Sequence, residues 1–261
     1  MPTTFTHDLF GKQVCQKLPE DLQELLGRNE QAYRIGLHGP DILFYYQVFS
    51  KNEVNGLGYR MHQEPADAFF QNCRKLARED EETAAYVLGF LCHFMLDSTC
   101  HPYIAKYQKK TGAGHDEIET DLDRVLMEKT GKNPFTYHPA AFVRPTPELS
   151  RKIAAVFGGR VSEKQVTTAL CSMKSLTGIM VCRVQMKRDL ILGVLKLLGC
   201  YDSLQGHIMR KNRCKRCETS TRELLELIRV SIPETVCIVE EYWNTLAEDG
   251  EGNPRLARNY E

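Results

Sequence analysis

Apolar residues recur three and four positions apart along almost the whole chain, and no segment sustains the alternation of a strand. The pattern therefore predicts an all-α fold. It places helices at roughly 8–26, 40–50, 65–79, 81–108, 115–129, 147–157, 162–199 with a break near Gly178, and 220–247. Ser220 followed by Glu223 reads as a capping box for the last of these. Its Leu224, Leu225, Ile228, Ile232 and Val236 make one apolar stripe, and Pro233 is expected to bend it. Stretches 52–58, 109–114 and 131–146 are rich in Gly, Pro and polar residues and read as surface loops. Residues 1–261 are expected to form a single multi-helix bundle, with the chemistry in about 2–130 and a helical C-terminal half at about 147–247.

Composition narrows the function classes. Lys plus Arg and Asp plus Glu number 34 each, so no overall field holds the chain to nucleic acid or to an anionic membrane. No stable nucleic-acid binding is expected. The nearly uncharged run from Thr83 to Met95 is shorter than the roughly 18 to 20 apolar residues a spanning helix requires, so no transmembrane segment is expected. The start, Met1-Pro2-Thr3-Thr4, lacks the features of a secretory signal and predicts a cytoplasmic protein. There the ten cysteines would stay reduced. Cys214 and Cys217 form a lone pair in a basic loop, with no second pair to complete a tetrahedral metal site.

The histidines change the picture, because six of the eight precede residue 116. His93, Asp97 and His101 are four residues apart in turn, which aligns them on one helical face among Leu91, Phe94, Met95 and Leu96. Burying three such groups unpaired is costly, and a metal removes that cost; a single buried His satisfied by a carboxylate is the alternative. His115 and Glu119 repeat the four-residue spacing on the next helix, whereas Asp116 and Glu117 face elsewhere and read as a solvated helix start. Upstream, His38 and Asp41 flank a turn, His62 approaches Pro65, and His7 lies near the start. His138 and His207 have no partners at ligand spacing and read as surface residues. Nitrogen and carboxylate donors without thiolate suit a catalytic zinc.

In its order of His7, Asp41, His62, His93, Asp97, His101, His115 and Glu119, the chain resembles the zinc-dependent phospholipase C and single-strand nuclease superfamily. The fourteen- and four-residue steps from His101 through His115 to Glu119 look like those of the bacterial phospholipases C. The resemblance implies an all-α enzyme with two to three clustered zinc ions. Asp41, His62, His93 and Asp97 would hold one, His101, His115 and Glu119 a second, and His7 with Asp97 a third. The third would also take the terminal amine and carbonyl of Pro2 if Met1 is removed. Pro102 departs from the pattern, since it disfavours helix at His101.

The expected function is hydrolysis of a phosphodiester, phospholipid being the favoured phosphate-ester substrate, by a zinc-activated water that Asp41 orients or deprotonates. A single-strand nuclease, which would need stacking aromatics and cations at its cleft, and a non-catalytic metal-binding structural or sensing protein are the alternatives. Phe44, Tyr45 and Tyr46 read either as pocket lining or as core.

Overall fold

The computed structural model describes residues 4–199, 201, 205–247 and 252–261, and among them contains eleven α-helices, several short 3-10 turns and no strand. In chain order the helices are α1 (Thr4–Cys15), α2 (Glu20–Arg28), α3 (Glu30–Gly36), α4 (Glu53–Gln63), α5 (Asp67–Glu79) and α6 (Glu81–Thr111). They continue with α7 (His115–Lys129), α8 (Pro147–Val156), α9 (Glu163–Met180), α10 (Gln185–Leu197) and α11 (Glu218–Asn244). A 3-10 turn, Gly39–Tyr45, links α3 to α4. No helix among the described residues is long and apolar enough to cross a membrane.

Helix α6 is the axis, with every residue from Thr83 to Ser98 buried and α1, α3, α5 and α11 packed around it. Its run of small and apolar residues, Ala84, Ala85, Val87, Leu88, Phe90 and Leu91, lets neighbours close on every side. Against α3 the backbones all but touch: a Cβ on Gly36 would stand 2.1 Å from the Tyr86 carbonyl oxygen, and one on Gly89 would stand 2.2 Å from that of Tyr33. One apolar cluster runs from Phe5 in α1 to Tyr242 in α11, and a small separate cluster joins Cys182, Leu195 and Ile208.

Four local readings are corrected. The expected first helix is two, because Pro19 starts α2 and the backbone breaks before it. It also begins earlier, at Thr4, because the Asp123 carboxylate of α7 accepts from the Thr6 amide at 2.9 Å and its hydroxyl at 2.5 Å. The expected loop at 52–58 is the start of α4, closed by reciprocal bonds between Asn52 and Asn55 at 3.0 and 3.1 Å. Helix α11 starts at Glu218, and the Ser220 hydroxyl donates to the Cys217 carbonyl rather than capping a start of its own.

The fourth concerns Pro102, where the sequence predicts an end or kink. Proline has no N–H for the Ser98 carbonyl four residues back. Arg258 donates to that carbonyl instead, at 3.1 Å, and Arg255 donates to the neighbouring Thr99 hydroxyl at 3.1 Å. With the vacancy filled, α6 continues through His101 to Thr111.

Candidate metal centre

Four helices and one turn bring the site residues together. Helix α6 supplies His93, Asp97 and His101 from one face, α7 supplies His115 and Glu119 from its first two turns, and α1 supplies His7. Asp41 comes from the 3-10 turn and His62 from the end of α4. Pro2 lies outside the described residues.

Asp97 is the hub. Its Oδ1 lies 3.2 Å from His7 Nε2 and 3.5 Å from His101 Nε2. Its Oδ2 lies 3.0 Å from His93 Nε2 and 3.8 Å from His62 Nε2. His62 Nε2 also stands 3.2 Å from Asp41 Oδ1. Beside this group, Glu119 Oε1 is 3.0 Å from His115 Nε2 and 3.6 Å from His101 Nε2. Donor atoms of His7, His93 and Asp97, of Asp41, His62 and His93, and of His101, His115 and Glu119 form three groups, each within 4.8 Å.

Neighbouring residues fix these side chains. His7 sits between two anchored residues: Thr6 is bound to Asp123, and Asp8 receives the Arg34 guanidinium at 2.7 and 3.0 Å. The His62 Nδ1 lies 2.8 Å from the Gly58 carbonyl, so Nδ1 donates there and the Nε2 lone pair, on the side of Asp41, is left for a metal. Gly39 has a φ of +45°, and a Cβ there would stand 2.3 Å from the His93 ring, so glycine meets both demands. Phe44 stacks on His62 at 5.4 Å and meets Tyr59 at 4.5 Å. Of the three aromatics after Asp41 it is the one against the site, and Tyr45 is core.

The electrostatics describe a site made for a cation. Burial would raise the Asp97 carboxyl, but His101, His93 and His7 hold it well below the usual range. Burial would likewise raise Glu119, and His115 and His101 hold it well down. Burial pushes the His93 imidazole down in spite of Asp97. Burial works against charge on His101 as well, yet Asp97 and Glu119 outweigh it and lift that ring to about 9. Asp41 and Glu119 also face His62 and His101, but His93 has only Asp97 beside its Nε2, and that buried atom makes no well-directed hydrogen bond. Nitrogen and carboxylate oxygen donors at these separations fit zinc.

Residues 6–164 match the model of zinc-dependent phospholipase C. The chain belongs to that family. No curated protein and no solved structure matches it. Membership supports Zn2+ as the cofactor of this phospholipase C-like hydrolase, and implies a phospholipid or phosphate-ester substrate.

The zinc-dependent phospholipase C fold also holds residues that spacing alone does not reveal. His38 is buried, pushed down to about 3 by burial and by His7, and its ring stacks on Phe142 at 5.9 Å. Tyr260 lies 5.1 Å from the His62 ring and 5.9 Å from the His93 ring, and its amide donates to the His62 carbonyl at 3.2 Å. Glu117 is not a solvated helix start: it is buried, and Arg210 and Arg216 reach it at 2.7 and 3.0 Å. Cys214 donates to Glu117 at 3.5 Å and Cys217 lies within reach of both. Two guanidiniums already neutralise that carboxylate, which leaves little attraction for a cation. His138 and His207 are half-buried and do have partners: His138 Nε2 lies 2.9 Å from the Lys174 carbonyl, and His207 Nε2 stands 3.5 Å from Asp116 Oδ2.

Proposed function

We propose that the chain, as one domain over residues 1–261, hydrolyses a phosphodiester and releases the phosphorylated headgroup of a phospholipid. The observation that carries this reading is Asp97 ringed by four imidazoles beside a second His and Glu group. In this reading Asp41, His62, His93 and Asp97 hold one zinc, and His101, His115 and Glu119 a second. His7 and Asp97 hold a third, with Pro2 completing it if Met1 is removed. Zinc bound there supplies the Lewis acidity that brings a water toward ionisation at neutral pH and offsets charge on the phosphoryl oxygens.

The donor residues differ in exposure, and that sets the direction of approach. The His93 side chain is 0% exposed, whereas those of His101, Asp41 and His115 are 16%, 17% and 36% exposed. The ester enters from the edge that these three share. Asp41, held by His62, orients the attacking water there and accepts its proton. Phe44 and Tyr59 stand as an aromatic wall beside His62.

Protein purified without chelator should carry about two to three zincs and release a chromogenic leaving group from a phosphodiester. Chelation should abolish the release and added zinc restore it. A folded, metal-free protein that takes up no zinc overturns the proposal.

A further inference from the structure

Helix α10 presents apolar side chains on two opposite faces. Leu195 is buried in the small cluster with Cys182 and Ile208, and Ile191 and Leu192 pack against the same cluster. On the other face Met186, Leu190, Val194 and Leu197 are 80%, 67%, 44% and 88% exposed. These four follow steps of four, four and three residues, so they form one continuous stripe along the helix. Val184 before the helix and Leu198 after it are 53% and 63% exposed and lengthen the same region. Isolated exposed apolar residues need no explanation, but a stripe of large ones marks a surface that meets something else.

The charges around the stripe indicate what it meets. The whole chain has equal numbers of basic and acidic residues. From Arg183 to Lys196 it nonetheless holds four Lys or Arg against one Asp, a local excess of three positive charges. Arg183, Lys187 and Arg188 lie at the start of α10 and Lys196 near its end. A helix with an exposed apolar face and basic flanks suits the boundary between the headgroups and acyl chains of an anionic bilayer.

The helix is also tied to the end of α7 that carries the metal centre. Ile208, in the cluster under α10, follows the 3-10 turn Gln205–His207. In that turn the Gly206 carbonyl accepts from the Thr120 hydroxyl of α7 at 2.6 Å. His207 Nε2 stands 3.5 Å from Asp116, next to His115, the most exposed of the site histidines. A surface holding α10 would lie at the end of α7 where the site opens.

We propose that α10 docks the enzyme on anionic phospholipid surfaces, inserting Met186, Leu190, Val194 and Leu197 among the acyl chains while its basic flanks meet the phosphates. The proposal rests on the phospholipid reading above for its purpose, but docking can be measured without turnover. Chelated wild-type protein, and a Met186→Asp, Leu190→Asp, Leu197→Asp triple variant, would be floated with vesicles of phosphatidylcholine containing phosphatidylserine. The same proteins would be floated with vesicles of phosphatidylcholine alone. The wild type should bind the anionic vesicles at least about tenfold more tightly than the variant, and more tightly than it binds the neutral ones. Circular dichroism should show the same helix content in both proteins, since the replaced side chains already face water.

With zinc present, the variant should lose hydrolysis of vesicle phospholipid and keep its rate on a dissolved short-chain phosphodiester. Equal flotation of wild type and variant would overturn the docking role. A wild-type dimer that the variant breaks, with vesicle binding unaltered, would overturn it in favour of a second copy of the chain. A wild type that floats as expected yet cleaves neither substrate would support docking and overturn the hydrolase reading instead.

Discussion

Between Thr83 and Ser98, helix α6 buries every side chain, His93 and Asp97 among them, whereas α10 leaves Met186, Leu190 and Leu197 in solvent. Each arrangement has a cost: several kcal/mol for an ion taken from water, and about 1.5–3 kcal/mol of burial forgone for each large apolar side chain left exposed. Neither cost is repaid by the packing of the helix itself. In α6 the buried Asp97 carboxylate lies within reach of four imidazoles, a donor set that fits a cation. In α10 the exposed stripe lies among basic residues. The comparison teaches that a chain which otherwise sorts polar from apolar keeps its exceptions where it meets matter other than itself.

The strongest way to break the comparison is to remove the hub. Asp97→Asn keeps the volume of the side chain and loses the charge, so zinc content and phosphodiester turnover should fall together by at least about a hundredfold. Losing even an outer partner of a ligand costs about 10- to 100-fold. Metal analysis and steady-state rates check it, and a variant with full zinc would remove Asp97 from the centre. A pair of leucines tests the opposite exceptions. Leu91→Ala in α6 should cost about 2–5 kcal/mol by denaturant unfolding, and Leu190→Ala in α10 no more than about 0.5 kcal/mol. A large loss at Leu190 would mean that its face is covered in the folded protein.

The smallest effect is a proton. With metal absent, His101 is lifted to about 9 and so is charged at neutral pH. A zinc ligand must be neutral imidazole, so uptake has to displace that proton. Zinc added to the metal-free protein near pH 7.5 should release it, and the release should fade as pH rises past 9 because the ring is then already neutral. The same sign makes zinc affinity weaken as pH falls. A buffer-dye titration of wild type against His101→Asn isolates the contribution, and equal release from both would show that His101 is not displaced.

The long helices were legible because many residues carry the signal, an apolar period in α5 and α7 and a long apolar run in α6. The misses have physical causes. Helix α1 starts early because its cap, Asp123, lies 117 positions from Thr6, where no local pattern can announce it. Glycines at 56 and 58 look like breakers, yet Gly58 sits within α4 because a Cβ there would press on Phe44 at 2.9 Å. In the site, the four-residue steps of α6 and α7 were legible from helical geometry. That His7, Asp41 and His62 approach them was suggested by the order of the family and not by spacing. Tyr260 was invisible, since its place depends on the tail from Pro254 onward lying against α4 and α6. Period alone also cannot say which apolar face of α10 turns inward, since Leu195 and Leu190 look alike in sequence.

The Ser98 carbonyl behaves as a socket. Motion in the rest of α6 opens and recloses bonds that each have a native partner in the next turn, but Pro102 leaves this one with none to return to. Arg258 therefore works as a splice, and the interval it bridges is the single turn between Asp97 and His101. Stiffness of that turn is borrowed from a residue 160 positions away in sequence. Loss of the guanidinium would leave the Ser98 carbonyl to water and free the relative pitch of the two side chains although neither is altered. Amide hydrogen exchange around Cys100 and His101 would record the splice opening as a local event, separate from the unfolding of the helix as a whole.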